Sequence, residues 1–344
     1  MEYPRTAAEF NRQFATEAAC WDYLVKLRWP EGFQCPACGS TEAWLTSNKL
    51  FRCRACESAV SVTAGTIFQD TRKPLRLWFQ AMWWVVGHKN GASAVGLNHV
   101  LGIGSDKTAW TWLHKLRRAM VRPGRDPLTG EVEVDETFVG GVEEGGGRRH
   151  IGNKALVAIA AEIRGNGIGR IRMKRIADGS SESLTTFIRE AVEKGSVVVS
   201  DGLQSYCSLP AHGYRHTRHI VERSPNDAST LLPRVHRVAS LLKRWLLGTH
   251  QGAVSREHLD SYLDEFAFRF NRRTSQHREG SSSPAWSSKR SPSVPLPTMP
   301  SSSMFEVGRA ERTTGRGNSS QGNTPLVSRS FSPFNGAVFS SSPP

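Results

Sequence analysis

At 344 residues with a formal net charge of +14, the chain is long enough for two or more domains and carries a large surplus of positive charge. A pI near 9.9 points to a polyanionic partner, nucleic acid before a membrane surface, because no amphipathic basic helix stands out as an anchor. Residues 75–86 form the longest apolar region, too short and too interrupted by Arg76 and Gln80 to span a bilayer, and Met1-Glu2-Tyr3-Pro4-Arg5 leads into no signal-peptide core; a cytoplasmic, nucleoid-associated protein without membrane partner is expected.

Six cysteines in such a chain suggest metal or free thiol rather than disulfide. Residues 7–29 read as one helix, with Phe10, Phe14, Trp21, Leu24 and Leu27 near helical spacing and Cys20 as packing. Trp29-Pro30-Glu31-Gly32-Phe33 breaks that pattern. Next come Cys35-Pro36-Ala37-Cys38-Gly39 and Cys53-Arg54-Ala55-Cys56, two CxxC knuckles with 14 residues between them. Each knuckle turns two thiolates toward one centre, and two complete a tetrahedral sulfur site for one structural zinc. Trp44-Leu45 and Leu50-Phe51 suit the hairpin of a zinc ribbon; two disulfides or a redox pair fit less well.

Lys73-Pro74 opens a helix through Leu77, Trp78, Met82, Trp83, Val85 and Val86. A short helix fits residues 92–101, Gly102-Ile103-Gly104 makes a turn, and Ser105 can cap a third helix through Met120. Lys107, Lys115, Arg117 and Arg118 give that helix a basic face, so the unit reads as helix-turn-helix-like with these four residues as candidate DNA contacts. A plain helical packing unit with a solvated basic face accounts for the same residues.

After a linker over residues 122–127, Glu131-Val132-Glu133-Val134-Asp135-Glu136-Thr137-Phe138 alternates apolar and acidic residues, the period of a half-buried strand. Glu133 shares the face of Asp135 and could assist it, although such a neighbour is more often structural. Gly145-Gly146-Gly147-Arg148-Arg149 reads as a flexible basic loop, not a phosphate cradle. Strands are expected at 155–163 and 171–176, then a helix capped by Asp178-Gly179-Ser180-Ser181 and running to Glu193, then the buried strand Val197-Val198-Val199-Ser200 ending at Asp201-Gly202. Three strands, a helix and a strand is the opening order of a ribonuclease-H-like fold, which makes the first and fourth strands neighbours. Asp135 and Asp201 would then meet as a divalent-metal site, while Asp-Gly as ordinary turn chemistry is the competing account. Cys207 is expected as buried packing, and His212, His216 and His219 as part of a basic strand or loop. An apolar stripe marks a helix over 235–247, on which His236 and Lys243 lie two turns apart on one face. Another helix is expected over 257–270. From residue 279 the Ser/Pro-rich sequence has no periodic apolar face and should be disordered.

Taken together, Cys35-Pro36-Ala37-Cys38-Gly39, Phe51-Arg52-Cys53-Arg54-Ala55-Cys56, Thr63-Ala64-Gly65-Thr66-Ile67-Phe68, residues 134–141, Ser200-Asp201-Gly202, residues 236–248, residues 262–266 and Arg269-Phe270-Asn271-Arg272-Arg273 carry a resemblance. Across roughly residues 10–275 the chain resembles bacterial insertion-sequence transposases with an N-terminal zinc ribbon and a DDE-type catalytic domain. The resemblance implies a multidomain α+β and α/β chain: an N-terminal helix (1–30), a zinc ribbon (31–62), a helix-turn-helix-like DNA-binding segment (63–122), a ribonuclease-H-like mixed-sheet domain (128–275) and a disordered tail (279–344). It also implies two catalytic Mg²⁺ or Mn²⁺ ions, strand cleavage and transfer on double-stranded DNA (terminal inverted repeats and target), and a homo-oligomer on that DNA. By the family's spacing to Lys243, the third ligand after Asp135 and Asp201 falls at His236, softer than the carboxylate Mg²⁺ prefers. Glu257 and Glu265 are the runners-up, Glu265 reading as the solvated edge of a helix. The Ser/Pro tail also departs from the family, as a shifted reading frame near residue 277 would produce. A non-catalytic zinc-ribbon DNA-binding protein and an RNA-processing nuclease of the same fold are the rival readings.

Overall fold

The computed structural model describes residue 4 and residues 6–121, 124–140, 154–219, 228–252 and 254–273; the tail from 279 and the Gly145–Arg149 loop lie outside the described residues. Two threonines divide the N-terminal helix that the apolar spacing predicts. Thr6 and Glu9 form a capping box at the start of α1 (Ala7–Gln13), and the Thr16 hydroxyl accepts the Ala19 amide at 3.2 Å to start α2 (Glu17–Arg28). Threonine side chains offer the backbone an alternative to helix continuation, and here both are used as caps. The break turns Phe10 and Phe14 onto Trp83 and Phe79, with ring centroids 5.1 and 4.7 Å apart.

Strands β1 (Ala43–Leu45), β2 (Leu50–Cys53) and β3 (Ala59–Ser61) form an antiparallel ribbon in that order. Phe51 on β2 meets Trp21, Trp29 and Phe33, which fastens the ribbon onto α2. Helix α3 (Leu75–Gly87) starts after Pro74, which has no side chain that can cap it. Glu17 of α2 supplies the acceptors instead, taking the Leu75 and Arg76 amides at 2.6 and 3.0 Å. Helices α4 (Ala94–Leu101) and α5 (Asp106–Ala119) follow, joined through Gly102 in the left-handed region at φ 61°. Trp78 stacks on Trp112 at 3.8 Å and closes the helical core.

The second half is one mixed sheet covered on both faces. Its strands are β4 (Glu131–Val139), β5 (Ala155–Arg164), β6 (Gly167–Ile176), β7 (Val197–Ser200) and β8 (Arg215–Arg218), in spatial order β6-β5-β4-β7-β8. The first three pair antiparallel, while β4–β7 and β7–β8 are parallel. Helix α6 (Ser181–Ala191), capped by Ser180 and connecting β6 to β7, covers one face with Tyr206. After the short α7 (Ala228–Leu231), helices α8 (Pro233–His250) and α9 (Leu259–Asn271) cover the other. This order and this mixture of directions are those of a ribonuclease-H-like core. No described helix is long and apolar enough to cross a membrane.

The two halves are joined by an ion triad that places two residues, Glu265 and Arg117, against their expected surface positions. Glu265 is no solvated helix edge. It is fully buried, accepting from Arg117 Nε at 2.7 Å and from Arg269 Nε and Nη2 at 2.9 and 2.7 Å. Burial alone would raise its pKa, but the two guanidinium groups outweigh that and hold it below the usual carboxylate range. Arg117, read as a DNA contact, is 1% exposed and lies over the Tyr262 ring at 4.1 Å. Arg269 also donates to Val85 O and His88 O of the helical half. Glu265→Ala leaves two guanidinium groups buried without their counter-charge and should cost about 3–5 kcal/mol. Denaturant unfolding measures this, and an unchanged midpoint would mean the triad does not hold the halves together.

Candidate metal and catalytic sites

Each knuckle needs a left-handed residue directly or closely after its second cysteine. Gly39 fills that place at φ 78°, and Glu57 at φ 55°, with their amides donating to Cys35 O at 2.9 Å and Cys53 O at 3.1 Å. Both turns thereby point their thiols inward. The ligand sulfurs of Cys35, Cys38, Cys53 and Cys56 all lie within 4.8 Å of one another, with Cys35–Cys56 at 3.6 Å and Cys38–Cys53 at 3.5 Å. Zinc–sulfur bonds of about 2.3 Å in a tetrahedron separate sulfurs by about 3.8 Å, so these four residues fit one structural zinc. Of the remaining cysteines, Cys20 is buried and its thiol is pushed up to about 11 by burial, whereas Cys207, expected as packing, is exposed.

The acidic site begins with β4, whose alternation sends Val132 and Val134 to the α6 face. Glu133 and Asp135 therefore point toward α8. Pairing with β7 runs Glu131–Val197, Val132–Val198 and Glu133–Val199; carried two residues further, that register sets Asp135 beside Asp201. His236 comes from the first turn of α8, its Nε2 3.7 Å from Asp135 Oδ2. Lys243, two turns on, is exposed and its charge acts on Asp135. The approach is pairwise. Among the described residues, the four cysteines are the one group of three or more ligand-type side chains gathered within 4.8 Å.

Negative charge is crowded here. Burial, with the charges of Asp201 and Glu133 adding to it, pushes Asp135 up to about 6. Burial and the charges of Asp135 and Asp201 likewise push Glu136 up to about 7, although the Tyr206 hydroxyl donates to Glu136 Oε2 at 2.7 Å. Sequence reasoning missed this Glu136–Tyr206 pair. Its signal was faint: a second acid beside Asp135 and an aromatic in the segment after Asp201. Asp201 Oδ1 also accepts the Leu203 amide at 3.0 Å, so the turn chemistry of Asp-Gly is present as well. Oxygen donors whose charge is so poorly compensated suit a hard divalent cation, and Asp135 and Asp201, with His236 beside them, could hold one.

The other candidates are placed elsewhere. Glu257 is exposed just before α9. On α5, Lys107 and Arg118 are exposed and Lys115 is half-buried, while Arg117 is turned inward. His216 lies on edge strand β8, with Nε2 2.9 Å from Ser200 Oγ.

Two family models match, an ISXO2-like transposase domain over residues 127–271 and a transposase zinc-ribbon domain over residues 15–59. Together they take in more than half of the chain. The chain carries a transposase zinc ribbon followed by an ISXO2-like transposase domain. A relative from Halobacterium salinarum, described as an uncharacterized protein in transposable element ISH50, is 26% identical over 281 residues, covering 75% of this chain and 92% of the relative. Among solved structures, the catalytic core domain of BIV integrase is 16% identical with a TM-score of 0.28, covering 40% of this chain and 81% of its own. A pre-cleavage Mos1 transpososome is 14% identical with a TM-score of 0.26, covering 57% and 75%. These scores are too low to add to what the strand order establishes.

Two outcomes follow for this transposase-family chain. Cys38→Ser should reduce zinc from one equivalent per chain to well below one, read by elemental analysis of the gel-filtered protein; a full equivalent would remove Cys38 from the site. Asp135 and Glu136, with pKa values raised from 3.8 and 4.5 to about 6 and about 7, keep protons when folded that the unfolded chain has released. Their contribution to stability is therefore lost as pH rises through that window. Without added divalent cation, Asp135→Asn and Glu136→Gln should raise Tm at about pH 8 and flatten its fall below pH 7. An unaltered profile in both variants would mean that the crowding is relieved by solvent.

Proposed function

We propose that this chain is the transposase of an insertion sequence, binding the element's terminal inverted repeats and catalysing metal-dependent strand cleavage and strand transfer. The observation that carries the reading is the approach of His236 to Asp135 at 3.7 Å, in the middle of a strand paired in parallel with the one that Asp201 follows. Asp135 and Asp201 hold the cations, Mg²⁺ or Mn²⁺, and remain ionised while doing so. When bound, the cations supply Lewis acidity for attack by water or a 3′-hydroxyl and stabilise the leaving oxygen. His236 completes the coordination or orients the nucleophile. Lys243 contacts a phosphate next to the cut. The zinc ribbon and the helical segment of residues 63–122 bind DNA, with Lys107, Lys115 and Arg118 as the phosphate contacts of α5. Two ends must be held together for joining, so the working form is a homo-oligomer on DNA.

The test is cleavage of a duplex carrying the inverted repeats that flank the gene. Asp135→Asn and Asp201→Asn should abolish Mg²⁺-dependent cleavage and leave binding to the same duplex intact. His236→Ala should reduce the rate severely, and His236→Glu should retain part of it by supplying a carboxylate. Undiminished cleavage by either Asp variant would overturn the assignment. Binding without cleavage by the wild type would leave a non-catalytic DNA-binding protein, and cleavage of RNA hybrids without repeat preference would leave a processing nuclease.

A further inference from the structure

Helix α8 begins without a cap of its own. Its N-cap residue is Leu232, which has no acceptor in its side chain, and Pro233 at the first position has no amide hydrogen. The next two amides are met by a residue about a hundred positions earlier. Glu133 Oε2 accepts from Arg234 N at 2.7 Å and Val235 N at 3.0 Å, while Oε1 accepts from Arg234 Nη1 at 2.9 Å. Glu133 is 2% exposed, so these bonds are made away from bulk water. A carboxylate at this end also meets the positive pole of the helix. Arg234 is fixed in turn, donating to Gly165 O and Gly167 O at the turn between β5 and β6.

His236 is the residue after Val235, and Asp135 lies two residues after Glu133 on the same face of β4. The two sides of the 3.7 Å approach between His236 and Asp135 are thus joined by one strand repeat, one carboxylate and the first turn of a helix. We infer that Glu133 is a positioning residue: it ties the first turn of α8, and with it His236, to the strand that carries Asp135. The body of α8 is held independently by buried Val238, Leu242 and Leu246. Losing the carboxylate therefore loosens the start of the helix and leaves the rest packed. In a catalytic centre, misplacement by about 1 Å can lower a rate by about 100-fold.

The rate part of this inference rests on the reading of Asp135 and His236 as partners in strand cleavage; the placement of the helix start does not. The experiment uses the full chain with zinc retained. Hydrogen exchange follows the amides of His236 and Arg237 against those of residues 242–246, and cleavage of the repeat duplex is titrated with Mg²⁺. Glu133→Gln should speed exchange in the first turn by about tenfold or more while residues 242–246 keep their protection. Its kcat should fall by about 100-fold at saturating Mg²⁺, with the KM for DNA and the Mg²⁺ midpoint within about twofold of wild type. A raised Mg²⁺ midpoint would make Glu133 a metal ligand, and unchanged exchange in the first turn would remove it from the helix start; either overturns the inference. If Glu133→Gln does not fold, Arg234→Met removes only the guanidinium bonds and should give the same pattern with smaller changes; unchanged exchange in that variant would overturn the inference too. A wild type that never cleaves would refute the proposed function while the exchange measurement still decides the role of Glu133.

Discussion

The parallel pairing of β4 with β7 is the constraint on which the rest of this chain's chemistry depends. Antiparallel neighbours can be joined by a tight turn, as β5 and β6 are. A parallel neighbour requires a crossover, and here β5, β6 and α6 together form it. That detour separates Asp135 from Asp201 by more than sixty residues in sequence and returns Asp201, at the end of β7, to the side of Asp135 in the middle of β4. With apolar residues packed on both sheet faces, a slip of one residue would turn Val132 and Val134 toward α8 and Asp135 into the α6 core. The register is thus held by packing, and the carboxylates are held by the register.

A second theme is what carboxylates with remote partners do in so basic a chain. Glu17 caps α3, Glu133 caps α8, Glu162 accepts from the Thr129 and Arg170 amides and from the Arg170 side chain, and Glu265 joins Arg117 and Arg269. In the last two, burial would raise the pKa and the donors outweigh it, so each carboxyl sits below its ordinary range. Asp135 and Glu136 are shifted the other way, because burial raises them and the charges of neighbouring acids add to it. Asp264 is also pushed up to about 6 by burial, with the charge of Arg125 opposing the shift and that of Asp260 adding to it. Arginine and amide partners neutralise the structural acids. Those in the middle of β4, beside Asp201 at the end of β7, remain under-compensated, which is the electrostatic condition for holding a cation.

Joining the halves draws on charges that looked like surface. The basic residues of α5 read as one solvated stripe, yet Arg117 leaves that stripe for Glu265 while Lys107 and Arg118 stay exposed. A helical face is about 100° wide, and a third helix packing against α5 decides which of four basic positions falls under it. Trp245 and Thr249 of α8, both donating to Asn90 O, extend the same junction.

By itself the sequence determined whatever depends on near neighbours along the chain. The two CxxC turns, the alternation that makes β4, the uniform apolar run of β7, the Ser180 cap of α6 and the apolar stripe of α8 are all set by residues within about one turn or one strand. It also placed Asp135 on one strand and Asp201 directly after another, and the element order was enough to make those strands neighbours, although β4 runs on past Asp135 to Val139. Tertiary structure alone decided which remote side chain completes a local deficiency. That Thr6 and Thr16 would split the first helix depended on the core that Phe10 and Phe14 turn into. That Glu133 would cap α8, that Glu265 would be buried between two arginines and that Tyr206 would reach Glu136 are choices among many acids and donors of the same type. Periodicity carries no record of such choices, because a carboxylate has the same local propensity whether its partner is water or an amide a hundred residues away.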